Sequence, residues 1–293
     1  MVKEPMRGVY PILVTPFDER SRVDEESLRK LVEFNIQAGV HGLGVALGSE
    51  VMRLSEPERV QVTRIVVDQA RKRVPIVINS SAAGTDLAIH YSTMAEENGA
   101  DALMIMPPAG GGGEMREYFK LISEAVHIPI FIQDTSTAAV SGSLARQIAD
   151  ETENVRYIKV ESLPTTVKVA DAVAACGDKI TIFGGAGGNY FIEEMRRGSV
   201  GTMPSCSQPE AFVKVWEQFW AGDLKGARET FDHWIVPLNR VSAQTAWAFY
   251  HVNKELLRQR GVIRTAVVRG PTTPLDEMTR KELQEVIDAL YPK

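Results

Sequence analysis

The chain has 293 residues, 44% hydrophobic and 24% charged, enough apolar surface for a sizeable buried core. Its net charge of -5 leaves no basic footprint for nucleic acid or an anionic membrane, so neither partner is expected. Cys176 and Cys206 have no CxxC spacing and the five histidines are scattered, which excludes a disulfide framework and a zinc site, and no metal or other cofactor is expected. Met1 to Arg7 carries no apolar leader and no run approaches the roughly 18 apolar residues of a membrane span, so a cytoplasmic location is expected.

Short apolar runs then alternate with amphipathic stretches of helical length. The runs are Val9 to Val14, Val40 to Val45, Pro75 to Ile78, Ala102 to Met106, Pro129 to Ile132, Tyr157 to Val160, Ile180 to Phe183 and Val200 to Met203. Between them the spacing predicts helices over Glu25 to Gln37, Glu56 to Arg71, Thr85 to Glu97, Glu114 to Val126, Ser143 to Glu151, Thr165 to Ala175 and Phe191 to Arg197. Eight such units predict an α/β fold, a (β/α)8 barrel over residues 1–207, ahead of a doubly wound open sheet. From Pro209 onward the pattern is helical only, with helices over Pro209 to Gly222, Leu224 to Ala243, Thr245 to Arg260 and Glu277 to Leu290. Residues 208–293 therefore read as a C-terminal helical extension of one structural domain, and aromatic residues such as Trp216, Trp220 and Trp234 read as its packing stripe.

Barrel chemistry collects at the C-terminal ends of the strands and in the loops beyond them. At those positions stand Gly48-Ser49-Glu50, Asn79-Ser80-Ser81, Gln133-Asp134, Lys159 with Glu161, Gly184 to Gly188, and Pro204-Ser205-Cys206. Side chains of a strand alternate between faces, so Tyr157, Lys159 and Glu161 share one face and Ile158 and Val160 the other. A lone ammonium inside a barrel pairs, loses its proton or does chemistry. Two readings stay open at this point, a buried Lys159 to Glu161 ion pair and a nucleophilic amine. Gln133 and Asp134 are candidates to hydrogen-bond substrate, with a turn or helix-entry pair as the alternative. Backbone N–H groups of Gly184 and Gly185 are candidates to approach a substrate carboxylate or hydroxyl, while Cys206 reads as packing.

With Gly8-Val9-Tyr10-Pro11-Ile12-Leu13-Val14-Thr15-Pro16-Phe17, Gly48-Ser49-Glu50 with Leu54, and Tyr157-Ile158-Lys159 in place, the chain resembles the dihydrodipicolinate synthase and N-acetylneuraminate lyase family of class I (β/α)8 enzymes over nearly its whole length. The resemblance implies that Lys159 forms a Schiff base with a small-molecule 2-oxo acid, that Gly48 and Ser49 hold its carboxylate, and that the chain is a homo-oligomer, a tetramer in the family's usual form. The family's strand-five tyrosine, a proton relay, lines up with Gln133, and the tyrosine after strand four with Pro108 or Ala109. Those departures are similar to the 2-keto-3-deoxy sugar acid dehydratase subgroup, in Gln133-Asp134, Lys159-Val160-Glu161 with Pro164-Thr165, Phe183-Gly184-Gly185 and Glu193-Glu194 before Arg197-Gly198.

The expected activity is a lyase that dehydrates a 2-keto-3-deoxy sugar acid. Lys159 is the Schiff-base residue, Glu161 shuttles the proton or hydroxide, and Gln133 stands beside them. A pyruvate-releasing aldolase, a dihydrodipicolinate synthase-like enzyme, and a non-catalytic barrel that binds a small acid are the alternatives.

Overall fold

The computed structural model describes residues 5–292, which are organised around one parallel sheet. Its strands are β1 (Gly8–Val9), β2 (Leu43–Val45), β3 (Ile76–Asn79), β4 (Ala102–Ile105), β5 (Ile130–Asp134), β6 (Val155–Val160), β7 (Thr181–Gly184) and β8 (Gly201–Thr202). They run in the order β1-β8-β7-β6-β5-β4-β3-β2. The two edges meet where Ile12 bridges Gly44, with Leu13 N donating to Gly44 O at 2.8 Å and Gly44 N to Pro11 O at 2.9 Å. The sheet thus closes into a (β/α)8 barrel, which leaves no free edge.

Helices α1 (Glu25–Gln37), α2 (Glu56–Ala70), α3 (Thr85–Glu97), α4 (Gly112–Ala125), α5 (Gly142–Glu151), α6 (Thr165–Cys176) and α7 (Phe191–Met195) separate successive strands. Their starts follow local chemistry. Asp24 accepts from Ser27 N at α1, and Ser55 and Glu58 form a reciprocal capping box at α2, where Pro57 occupies the first turn.

Helix α8 (Pro209–Trp220) packs back onto β1 and sends Phe212, Val215 and Trp216 into the core between sheet and helices. It is the barrel's eighth helix, so the extension proper starts at Leu224 rather than at residue 208. The stretch expected as one helix from Leu224 to Ala243 is α9 (Leu224–Thr230), a π-helical turn (Phe231–Ile235) and α10 (Val236–Ser242). Pro237 has no N–H to donate to the preceding turn, which accounts for the shift in the ladder there. Helices α11 (Ala248–Gln259) and α12 (Glu277–Leu290) complete the extension, whose own core includes Leu238, Val252, Leu256 and Ile287. No helix among the described residues is long and apolar enough to cross a membrane.

Strand alternation divides the core in two. Val9, Leu43, Ile132, Ile158 and Val160 face the helices, whereas Tyr10, Ile12, Met104, Phe131, Tyr157, Phe183 and Met203 fill the barrel interior. Phe131 and Tyr157 stack with ring centroids 4.3 Å apart, and Phe183 meets Phe131 edge-on at 5.4 Å. These rings close the barrel from below. Two residues further along β6, about 7 Å up the strand axis, Lys159 stands on top of them.

Candidate active site

The Lys159 side chain is 5% exposed and its Nζ lies 2.9 Å from Glu161 Oε1. Glu161, just past the end of β6, keeps 20% of its side chain open to solvent. Gln133 is the cross-strand neighbour of Lys159, and its Nε2 donates to Glu161 Oε2 at 2.8 Å. Asn79 Nδ2, from the end of β3, donates to Gln133 Oε1 at 3.4 Å and to Ser81 Oγ at 3.0 Å. Ala186 N completes the set by donating to Glu161 Oε1 at 3.2 Å. One carboxylate is therefore held against one amine by a side-chain amide and a backbone N–H, and keeps part of its surface open to solvent.

Asp134 is not part of this group. The alternation that turns Gln133 inward turns Asp134 outward, beside Val160, where its side chain is wholly buried. Its Oδ1 accepts from Val140 N at 2.7 Å and pairs with Lys168 Nζ at 2.8 Å, while Oδ2 accepts from Ser162 Oγ at 2.6 Å. These contacts brace the loops after β5 and β6 against α6. The substrate contact expected of Asp134 thus gives way to a brace, because the residue sits on the helix side of the sheet.

Gly184 and Gly185 serve space more than hydrogen bonding. A Cβ on Gly185 would lie 2.3 Å from Glu161 Cγ, and one on Gly184 would lie 1.8 Å from Glu194 Oε2. Real side chains do not approach so closely, so only glycine admits the two carboxylates at these positions. The N–H that the loop contributes to the group comes from Ala186, held in the left-handed region at φ 48.

Beyond β2, Leu47–Ser49 forms a 3-10 turn. Ser49 Oγ donates to Leu13 O and accepts from Ala46 N at 3.0 Å, so its hydroxyl fixes the loop that carries it. Gly48 remains at the front of the turn, where the first N–H groups have no acceptor within it. Behind it Glu50 is fully buried in an ion pair with Lys254 of α11, and Arg269 N donates to the same carboxylate at 2.9 Å. Burial pulls the Lys254 ammonium down to about 8, against the attraction of Glu50.

Tyr250, also from α11, donates its hydroxyl to Leu47 O at 3.2 Å. Burial raises this phenol above its ordinary range, opposed by the Arg53 guanidinium and reinforced by the charges of Glu50 and Glu161. The extension thus brings a tyrosine to the rim between the Gly48 turn and Glu161. No local pattern announces Lys254 or Tyr250, whose partners Glu50 and Leu47 are 204 and 203 residues away. Asn79 was legible as a polar strand end. Among the described residues no three His, Cys, Asp or Glu side chains group into a metal-binding set.

The model of the dihydrodipicolinate synthetase family matches residues 5–290. An L-2-keto-3-deoxyarabonate dehydratase of Azospirillum brasilense is 28% identical, over 98% of this chain and 95% of that protein. A 4-hydroxy-tetrahydrodipicolinate synthase of Desulfotalea psychrophila is 30% identical over 94% of each. Among solved structures, the dihydrodipicolinate synthase of Rhodopseudomonas palustris superposes with a TM-score of 0.90 at 25% identity, covering 97% of both chains. A barrel carrying an enclosed strand-six lysine, matched by this family model from end to end, belongs to the dihydrodipicolinate synthetase family of lyases.

Proposed function

We propose that the protein dehydrates a 2-keto-3-deoxy sugar acid through a Schiff base on Lys159. The observation that carries this reading is the carboxylate of Glu161, 2.9 Å from Lys159 Nζ and oriented by Gln133 and Ala186 N. The position where the family's tyrosine relays protons holds Gln133, whose amide has no acid–base function at neutral pH. Glu161 can take and return a proton, and it stands where the carbons next to an imine at Lys159 must lie.

In this reading the amine of Lys159 adds to the C2 carbonyl and water leaves, giving an iminium that acidifies C3. Glu161 takes a C3 proton to form the enamine. The electron pair of the enamine expels the C4 hydroxyl, which receives the proton from Glu161 and departs as water. Hydrolysis of the resulting unsaturated iminium frees Lys159. Gly48 at the front of its 3-10 turn is the proposed holder of the substrate carboxylate, and Tyr250 borders the distal end. The dehydratase relative supports the substrate class, while the synthase relative shares the family with a different activity. A homo-oligomer, a tetramer in the family's usual form, is proposed for the assembly.

The test is borohydride reduction in the presence of a 2-keto-3-deoxy acid, followed by peptide mass spectrometry, for wild type and Lys159→Ala. An adduct on Lys159 with the mass of the intact or dehydrated acid is expected, and none on the enclosed Lys254. A pyruvate remnant would replace dehydration by aldol cleavage. The absence of any adduct, with pyruvate as well, would remove the Schiff-base reading.

A further inference from the structure

Glu194 of α7 is wholly buried, and both of its carboxyl oxygens lack a hydrogen-bond partner. Its Oε2 occupies the space on the helix side of the sheet where a side chain of Gly184 would begin. Thr202 is the cross-strand neighbour of Gly184, and its buried hydroxyl is unpartnered too. Thr165 Oγ1, at the start of α6, is close enough to weigh on the charge of Glu194 yet makes no regular hydrogen bond. A carboxylate ion in such a place costs too much to persist without a neutralising partner.

The charged groups on the surrounding elements are already engaged. Lys168 of α6 is held by Asp134, Glu193 beside it on α7 by Arg228, and Lys159 on β6 by Glu161. Among the described residues no cation pairs with Glu194. Glu161, paired with Lys159, adds the smallest of the like-charge effects on Glu194, from the opposite side of the Gly184-Gly185 dipeptide. Like charges on either side of that wall disfavour each other.

We propose that Glu194 is a positioning residue that carries a proton at neutral pH behind the Gly184-Gly185 wall of the Lys159–Glu161 site. The effect on catalysis rests on the proposed role of Glu161, whereas the proton on Glu194 does not. A neutral acid both donates and accepts, so it can serve the hydroxyl of Thr165. Burial is the main cause, with the neighbouring charges of Glu193 and Glu161 adding to it, that raises the group to about 7. When Glu194 ionises, a second negative charge stands behind the Gly184-Gly185 wall and changes the field at the Lys159–Glu161 pair.

The experiment is an infrared titration from about pH 5 to about pH 9 of wild type, Glu194→Gln, Thr165→Val and the surface control Glu193→Gln. Wild type is expected to show the C=O stretch of a buried neutral carboxylic acid that disappears as pH rises. That band should be absent in Glu194→Gln, displaced in Thr165→Val, and present in Glu193→Gln but lost at lower pH than in wild type. In parallel, the kcat/KM profile should lose an inflection near neutrality in Glu194→Gln. A band that survives in Glu194→Gln, or is unmoved in Thr165→Val, overturns the proton assignment, and superimposable pH profiles overturn the coupling to Glu161. The infrared signal needs no substrate, so a failure to trap a Schiff base at Lys159 would remove the dehydratase reading and leave this signal to be judged separately.

Discussion

Lys159 and Glu161 stand two residues apart on one strand face, and their charged atoms meet at 2.9 Å above a plug of stacked aromatic rings. Glu161→Gln keeps the shape but replaces one accepting oxygen with a donating NH2 group and removes the acid–base function. It should lower kcat by about 10² to 10⁴ while borohydride still traps substrate on Lys159. Retention of kcat within about twofold would reduce Glu161 to a counter-ion of the amine.

Gly185→Ala tests the same site through its wall. The new Cβ would fall 2.3 Å from Glu161 Cγ, so the carboxylate must move or the loop must give. A displacement near 1 Å at a proton-transfer group costs on the order of 10²-fold in rate. Stability should fall by only about 1 to 3 kcal/mol, the usual range for overpacking. Steady-state kinetics beside chemical denaturation separates the two, and an unchanged kcat would show that the glycine serves only the backbone.

The pair Glu50 and Lys254 ties the turn that presents Gly48 to α11 and the segment after it, with both side chains at 0% exposure. Removing Lys254 leaves buried Glu50 with Arg53 at 3.1 Å and Arg269 N as its remaining partners. Lys254→Met should therefore destabilise the fold by less than the ~3 to 5 kcal/mol of an uncompensated buried charge, and the double change with Glu50→Leu should recover part of that loss. Urea denaturation of both singles and the double measures the coupling. Additive losses would mean that the pair acts as two separate contacts.

The barrel was legible because its code is local. Alternation and helical spacing fixed the extents of α1, α3 and α12 to the residue. The first apolar run was cut short because Pro11 interrupts it, leaving β1 at Gly8–Val9 and an isolated bridge at Ile12. The shared face of Lys159 and Glu161 follows from the same alternation, which also predicts that Gln133 and Asp134 face opposite ways. Reading them as one pair overlooked that rule. Ser49, Lys254 and Glu194 were illegible for another reason. Each is defined by a partner or a missing neighbour brought in by closure of the barrel, as when Ser49 Oγ is taken up by Leu13 O from the first strand's loop.

The buried acid of Glu194 leaves a mark on stability as well as on activity. Its proton is held to about 7 in the fold against an ordinary value of 4.5, so the folded state binds more protons than the unfolded chain between those limits. The resulting stability is fully present below the unfolded value and is lost as pH rises through the folded one, amounting to about 3 kcal/mol. Glu194→Gln cannot titrate. Relative to that variant, wild type should lose about 3 kcal/mol between roughly pH 4 and pH 8, with most other groups cancelling in the comparison. Urea denaturation of the two proteins across that range reads the difference directly. If the difference in unfolding free energy stays constant with pH, Glu194 is ionised throughout and some other group neutralises it.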